Sequence, residues 1–205
     1  MYTPPAFRLE DRNAVLAVMR ENAFAMLVAH RSDTLEITHL PLMVEPRGDD
    51  LVIRGHVAKA NPIVALIEAG AAATAVFGGP HAYISPDWYA SENQVPTWNY
   101  VAVHASGRLK AVTTAADTTT LLADLSAEHE APLAPKRPWT HDKMRDGLME
   151  RMIKGVIAFE LPIERLEAKS KMSQNKKPED IAGAAEGLRG RGDAADSAVA
   201  DIMEG

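Results

Sequence analysis

The chain has 205 residues, of which 46% are hydrophobic and 24% charged, enough for one generous domain or a domain with an appendage. It has no cysteine, which excludes disulfides, thiolate metal sites and a cysteine nucleophile. The formal net charge of −6 argues against strong duplex binding by the chain alone, because such proteins usually carry a basic footprint.

The opening Met1-Tyr2-Thr3-Pro4-Pro5 lacks a basic stretch followed by an apolar run. No segment approaches the ~18 apolar residues of a membrane span, so a cytoplasmic protein with no membrane partner is expected. Residues 11–22 predict a helix capped by Asp11, with Val15, Val18 and Met19 on one face. Residues 23–31 predict an apolar strand, 35–45 a second and 51–57 a third, with a turn at Arg47-Gly48-Asp49-Asp50. Three strands in meander order point to an antiparallel sheet.

Asn61-Pro62 is a helix start: asparagine caps, and proline suits the first helical position. Ile63, Val64, Leu66 and Ile67 supply its apolar face and Gly70 its stop. A buried strand is expected at 71–77, then an aromatic-bearing loop over 78–96. A hairpin at 97–105 and 108–113 turns at Ser106-Gly107. Helices at 117–129 and near 141–152, a strand at 155–161 and a helix after Pro178 follow. Gly190-Arg191-Gly192 breaks that helix, and 193–204 reads as a loose helix or a disordered acidic tail. About six or seven strands, mostly joined by hairpins, suggest a small closed or partly closed β-barrel with peripheral helices. A parallel Rossmann sheet lacks its β-α-β alternation here.

Four stretches carry candidate chemistry. In Gly55-His56-Val57-Ala58-Lys59-Ala60-Asn61-Pro62, a strand runs into a capped helix start. The unpaired N–H groups and dipole of such a start attract anions, and Lys59 and His56 add a charge and a donor. In Thr38-His39-Leu40-Pro41, strand alternation puts Thr38 and Leu40 on one face and His39 on the other. Thr97-Trp98-Asn99-Tyr100 places two aromatics on one strand face, as core, interface or the wall of a flat ring. Lys171-Met172-Ser173-Gln174-Asn175 is polar and rich in donors. The histidines never fall into a His-x-His or His-Glu-x-x-His spacing, so no zinc site is expected. No Gly-x-Ser-x-Gly elbow or Walker loop occurs.

Taken in order, these motifs resemble the PaiB family of FMN-binding negative transcriptional regulators. Gly79-Pro80-His81-Ala82-Tyr83-Ile84-Ser85-Pro86-Asp87-Trp88-Tyr89 and the opening Met1–Phe7 belong to the same likeness, which spans roughly residues 1–190. The resemblance implies an antiparallel split β-barrel of the FMN-binding type, mainly β with peripheral helices (α+β), and a homodimer with flavin at the subunit interface. It implies a barrel domain over 1–176 and a C-terminal helical extension over 177–205. By the same likeness, His56, Val57, Lys59 and Asn61 hold the FMN phosphate, and Thr38, His39 and Leu40 lie beside the ring. Thr97, Trp98 and Asn99 come from the partner subunit, and Lys171, Ser173, Gln174 and Asn175 reach the same interface.

The alternative reading is an FMN-dependent oxidoreductase or flavin reductase acting on a small molecule with NAD(P)H. It needs no side-chain acid/base pair, because a flavin carries its own electron chemistry. Haem in place of flavin is a third reading, with His39, His56 and His81 as axial candidates. DNA is an expected partner only through the family likeness, since the charge of the chain gives it little support.

Overall fold

The computed structural model describes residues 1–31 and 34–205. Its helices are α1 (Arg12–Glu21), α2 (Val64–Glu68), α3 (Ala115–Glu130), α4 (Leu148–Met152), α5 (Pro178–Gly190) and α6 (Ala194–Glu204). Its strands are β1 (Phe24–Arg31), β2 (Thr34–Pro41), β3 (Met43–Arg47), β4 (Asp50–Ala58), β5 (Ala72–Ile84), β6 (Thr97–Arg108), β7 (Lys110–Ala111) and β8 (Val156–Lys171). The strand order is β2-β1-β5-β6-β8-β4-β3, with β7 also paired to β8. The pairs β1/β2, β1/β5, β3/β4, β4/β8 and β7/β8 are all antiparallel.

The chain forms two compact units. One comprises Met1–Asn22, Phe77–His104 and Glu167–Gly205; the other comprises Ala23–Val76 and Ala105–Leu166. The chain passes between them within β5, β6 and β8.

In the second unit, two hairpins come from what reads in sequence as a meander. The expected single strand at 35–45 is two strands, broken at Leu42. β2 pairs with β1, whereas β3 pairs with β4, so the chain changes partner at that break. Leu42 is buried there, and its N–H donates to the Ala23 carbonyl at 2.8 Å, which fixes the corner. Leu27, Ile53, Ile67, Leu121, Phe159 and Leu161 are fully buried and form the heart of this unit.

The expected hairpin at Ser106-Gly107 is absent: β6 runs straight through it to Arg108, and β7 pairs with β8. Gly107 answers a close approach instead of a turn. A Cβ there would stand 2.0 Å from the Pro162 carbonyl oxygen of β8. The helix expected near 141–152 is also interrupted. A short 3-10 turn spans His141–Lys143, Gly147 adopts φ +69°, and only Leu148–Met152 is α-helical.

In the first unit, Asp11 caps α1 through a 2.7 Å bond from the Ala14 N–H. β5 continues past the expected 71–77 to Ile84, through Gly78-Gly79-Pro80, and its buried positions alternate with more exposed ones except at Pro80-His81. The glycines and proline suggest a loop, but a proline costs a strand only one donor and is tolerated where that donor is not needed. α5 starts at Pro178, as a first-turn proline allows. α6 is capped by the Asp193 side chain, which accepts from the Ala195 N–H at 2.8 Å. α5 and α6 together close a core of Ile84, Val101, Met172, Ala185, Leu188 and Val199.

Within that unit, Gly183 and Gly187 face the loop after β5 from one side of α5. A Cβ on Gly183 would lie 2.2 Å from the Trp88 carbonyl oxygen, and one on Gly187 would lie 2.4 Å from its indole. The two glycines form a notch in which Trp88 sits.

Candidate functional site

The motif residues fall into two groups, one in each unit. In the second unit, β4 delivers His56 and Val57, and the following turn carries Lys59 and Asn61. Asn61 does begin a helical turn: its Oδ1 accepts from the Ile63 N–H at 3.0 Å and its carbonyl from the Val64 N–H at 3.0 Å. The helix that follows, α2, has only five residues. A helix this short has a weak dipole, and Asn61 already takes two of its leading N–H groups. The local attraction for an anion therefore rests chiefly on Lys59, whose side chain is exposed.

Thr38 of β2 reaches the same place. Its hydroxyl lies 3.2 Å from Asn61 Nδ2, so two motifs 23 residues apart are joined by one hydrogen bond. The alternation expected for β2 holds. Thr38 and Leu40 turn inward, with Leu40 buried, while Leu35, Ile37 and His39 form an exposed row. His39 stacks on Phe24 of β1, with ring centroids 6.3 Å apart. Val57 is buried in the core of this unit.

His56 points away from that core into a cavity that also involves α3 and residues 138–156. Its Nδ1 is buried and makes no hydrogen bond among the described residues. Burial pushes its imidazole below the ordinary histidine range, so the ring is held neutral.

In the first unit, β6 delivers Thr97, Trp98 and Asn99, and the end of β8 delivers Lys171. Lys171 Nζ donates to Thr97 Oγ1 at 2.6 Å and to the Trp98 carbonyl at 2.7 Å. Burial lowers the affinity of this ammonium for its proton, and the nearby Lys169 and Lys176 lower it further. Asn99 is fully buried; its Nδ2 donates to Ser173 Oγ at 3.0 Å and lies 3.2 Å from Met203 Sδ. Ser173 holds φ +61°, unusual for a residue with a Cβ, at the turn that brings its hydroxyl to Asn99. Gln174 closes the same turn, accepting from the Met172 N–H at 2.7 Å and donating to the Ser170 carbonyl at 2.6 Å. Asn175 follows it, exposed.

Trp98 is 55% exposed and meets Tyr83 edge-on at 6.1 Å and His81 at 6.2 Å. The result is an aromatic surface beside a cation. The sequence motifs assign no role to Phe24, Tyr83 or Met203. Phe24 and Tyr83 carry a usable signal, as aromatics on strand faces that point outward. Met203 carries none, because its approach to Asn99 depends on how α6 packs.

These features belong to an antiparallel split β-barrel with peripheral helices, and solved structures of that fold overlay on the chain. The FAD and heme binding protein from Mycobacterium smegmatis aligns with a TM-score of 0.59 at 16% identity, over 85% of this chain and 78% of that one. The flavocytochrome Anf3 from Azotobacter vinelandii aligns with a TM-score of 0.57 at 14% identity, over 79% and 68%. A family model described as "Putative FMN-binding domain" matches residues 1–165. Protease synthase and sporulation protein PAI 2 of Bacillus subtilis (strain 168) is 33% identical over 100% of this chain and 97% of its own length. The chain belongs to this PaiB-type FMN-binding family.

Proposed function

We propose that the protein binds FMN as a homodimer and acts through the bound flavin as a PaiB-type regulator. The observation that carries the flavin site is the Thr38–Asn61 hydrogen bond next to the exposed Lys59. It joins a hydroxyl and an amide from two separate motifs, and Lys59 stands two residues before Asn61. Such a donor set suits a phosphate, which takes charge-assisted hydrogen bonds best. Lys59 supplies the charge, Asn61 and Thr38 orient each other, and Val57 anchors the strand end in the core. The row of Leu35, Ile37 and His39 with Phe24 suits a flat ring or a second copy of the chain. The aromatic surface at Trp98 and the cation of Lys171 supply what a partner copy would add.

When bound, flavin supplies the electron-transfer chemistry. The residues bind and orient it and keep water from its faces. A second reading, a flavin-dependent oxidoreductase, is favoured by the net charge of −6, which gives the chain little attraction for DNA. Regulation without direct DNA contact would fit the same charge.

The visible spectrum of the isolated protein, paired with its mass in solution, tests the proposal. Flavin bands and twice the chain mass are expected. An intense haem Soret band in place of flavin bands, or a flavin-bearing monomer, would sink it. Stopped-flow mixing with NADH or NADPH separates the two readings, because turnover is expected only of the oxidoreductase.

A further inference from the structure

We propose that the cavity between α3 and residues 138–156 binds a neutral, largely apolar small molecule, separate from the flavin. The cavity, open to solvent on one side, has a volume of about 780 Å³. That volume lies in the ~300–1,000 Å³ range of small-molecule sites, which are mainly apolar with a few placed polar groups.

Leu122 and Leu125 of α3 form one wall, Trp139 another, and Met149 and Met152 of α4 a third. Met144 adds a third methionine, and such flexible thioethers adapt to the shape of a guest. Trp139 is held in place by Glu130, whose carboxylate accepts from the Trp139 N–H at 2.7 Å and also pairs with Lys136. That contact holds the Trp139 backbone, while the residue remains 41% exposed.

The charges of the lining decide which guest fits. No lysine or arginine is among the described residues that line the cavity. Its two carboxylates are Asp124, already bonded by Arg54 Nη1 at 2.8 Å, and Asp142, kept ionised by its bond from Thr140. A phosphate or carboxylate ligand would meet Asp124 and Asp142 with no lysine or arginine to pair with, the basic side chains among the described lining residues being His56 and His141, which sets this cavity apart from the Lys59 site. A neutral guest meets apolar walls beside the His56 ring. His56 stands on the strand that leads directly to Lys59 and Asn61, so an occupant presses on the segment that carries them.

The test uses the full-length protein as isolated and N-phenyl-1-naphthylamine, a neutral aromatic probe that fluoresces when it leaves water. Saturable binding at one site per chain is expected. Ser126→Phe fills the cavity from α3 and should weaken the probe at least tenfold, with flavin content and circular dichroism unchanged. If that variant misfolds, Met149→Asp decides the matter by placing a charge in the apolar wall, with the same loss expected.

No saturable signal from the parent protein overturns the proposal, as does undiminished binding by a folded Ser126→Phe or Met149→Asp variant. Displacement of the probe by FMN, one for one, would make the cavity part of the flavin site and overturn its independence. Probe binding confined to dissociated chains would make the cavity a subunit contact and overturn the proposal as well. The probe signal does not depend on flavin, so failure of the flavin reading would leave it intact.

Discussion

At the scale of single residues, Lys59 and His56 make separable claims. Lys59→Ala should weaken FMN without unfolding the chain, because its side chain is exposed and its backbone N–H bond to Gly155 survives the change. A charge-assisted hydrogen bond is worth about 1.5–3 kcal/mol, so affinity should fall about ten- to a hundredfold by fluorescence titration. Unchanged affinity would remove Lys59 from the site. His56 makes a pH claim. Its folded-state imidazole is held below the ordinary 6.5, so the unfolded chain takes up the proton more readily. Stability is therefore lost as pH falls below about 6.5 toward the folded value, and the loss is complete below that value. Asp124 from α3, and His141 and Asp142 from the 3-10 turn, face the same cavity. His56→Gln isolates the histidine part: its urea midpoint should fall less than the parent's between pH 7 and pH 5. Equal falls would show that His56 is not the group responsible.

At the scale of elements, glycine positions and the last helix are the points of leverage. Gly107→Ala drives a methyl group into the Pro162 carbonyl, so strand β6 or β8 must shift. Overpacking of this kind costs about 1–3 kcal/mol or more, readable as a lower urea midpoint. A midpoint equal to the parent's would mean that the strands separate freely there. Removing residues 193–205 takes Val199, Ala200 and Met203 out of the core and should destabilise the first unit by on the order of 2–5 kcal/mol. Elements with local signals were legible in the sequence. Asp11 and α1, Pro178 and α5, and the turn at Gly48-Asp49 all declare themselves through caps and turn chemistry. Elements decided by distant partners were not. Ser106-Gly107 looks like a turn until β8 is seen pressing on it, and Gly78-Gly79-Pro80 looks like a loop until its burial alternation is seen. The division of 35–45 into β2 and β3 follows from their different partners, which no local pattern records. In the candidate site, the 38–41 and 55–62 motifs declared themselves, but their junction at Thr38 and Asn61 is a tertiary fact.

At the scale of the whole molecule, the issue is what covers its exposed apolar residues. Phe24, Leu35 and Ile37 are 72%, 61% and 54% exposed on neighbouring strands, an arrangement that monomers seldom leave bare. If this row joins two copies of the chain, Ile37→Lys should give a monomer by light scattering, because a charge there would meet an apolar partner. If flavin lies at the subunit interface, the same variant should lose it on gel filtration. A monomer that retains flavin would show that one chain suffices. No helix is long and apolar enough to cross a membrane among the described residues.

The notch made by Gly183 and Gly187 has a thermodynamic consequence. Each glycine in a helix interior costs about 1 kcal/mol relative to alanine, so α5 is a poor helix in isolation. What it gains in return is Trp88, which rests where two methyl groups would otherwise stand. Helix and loop therefore support one another, alongside the packing of α5 on α6. Amide protons across 178–190 and around Trp88 should exchange with solvent at one shared rate, as a single opening event. Trp88→Ala would then loosen a helix far away along the chain without touching its sequence.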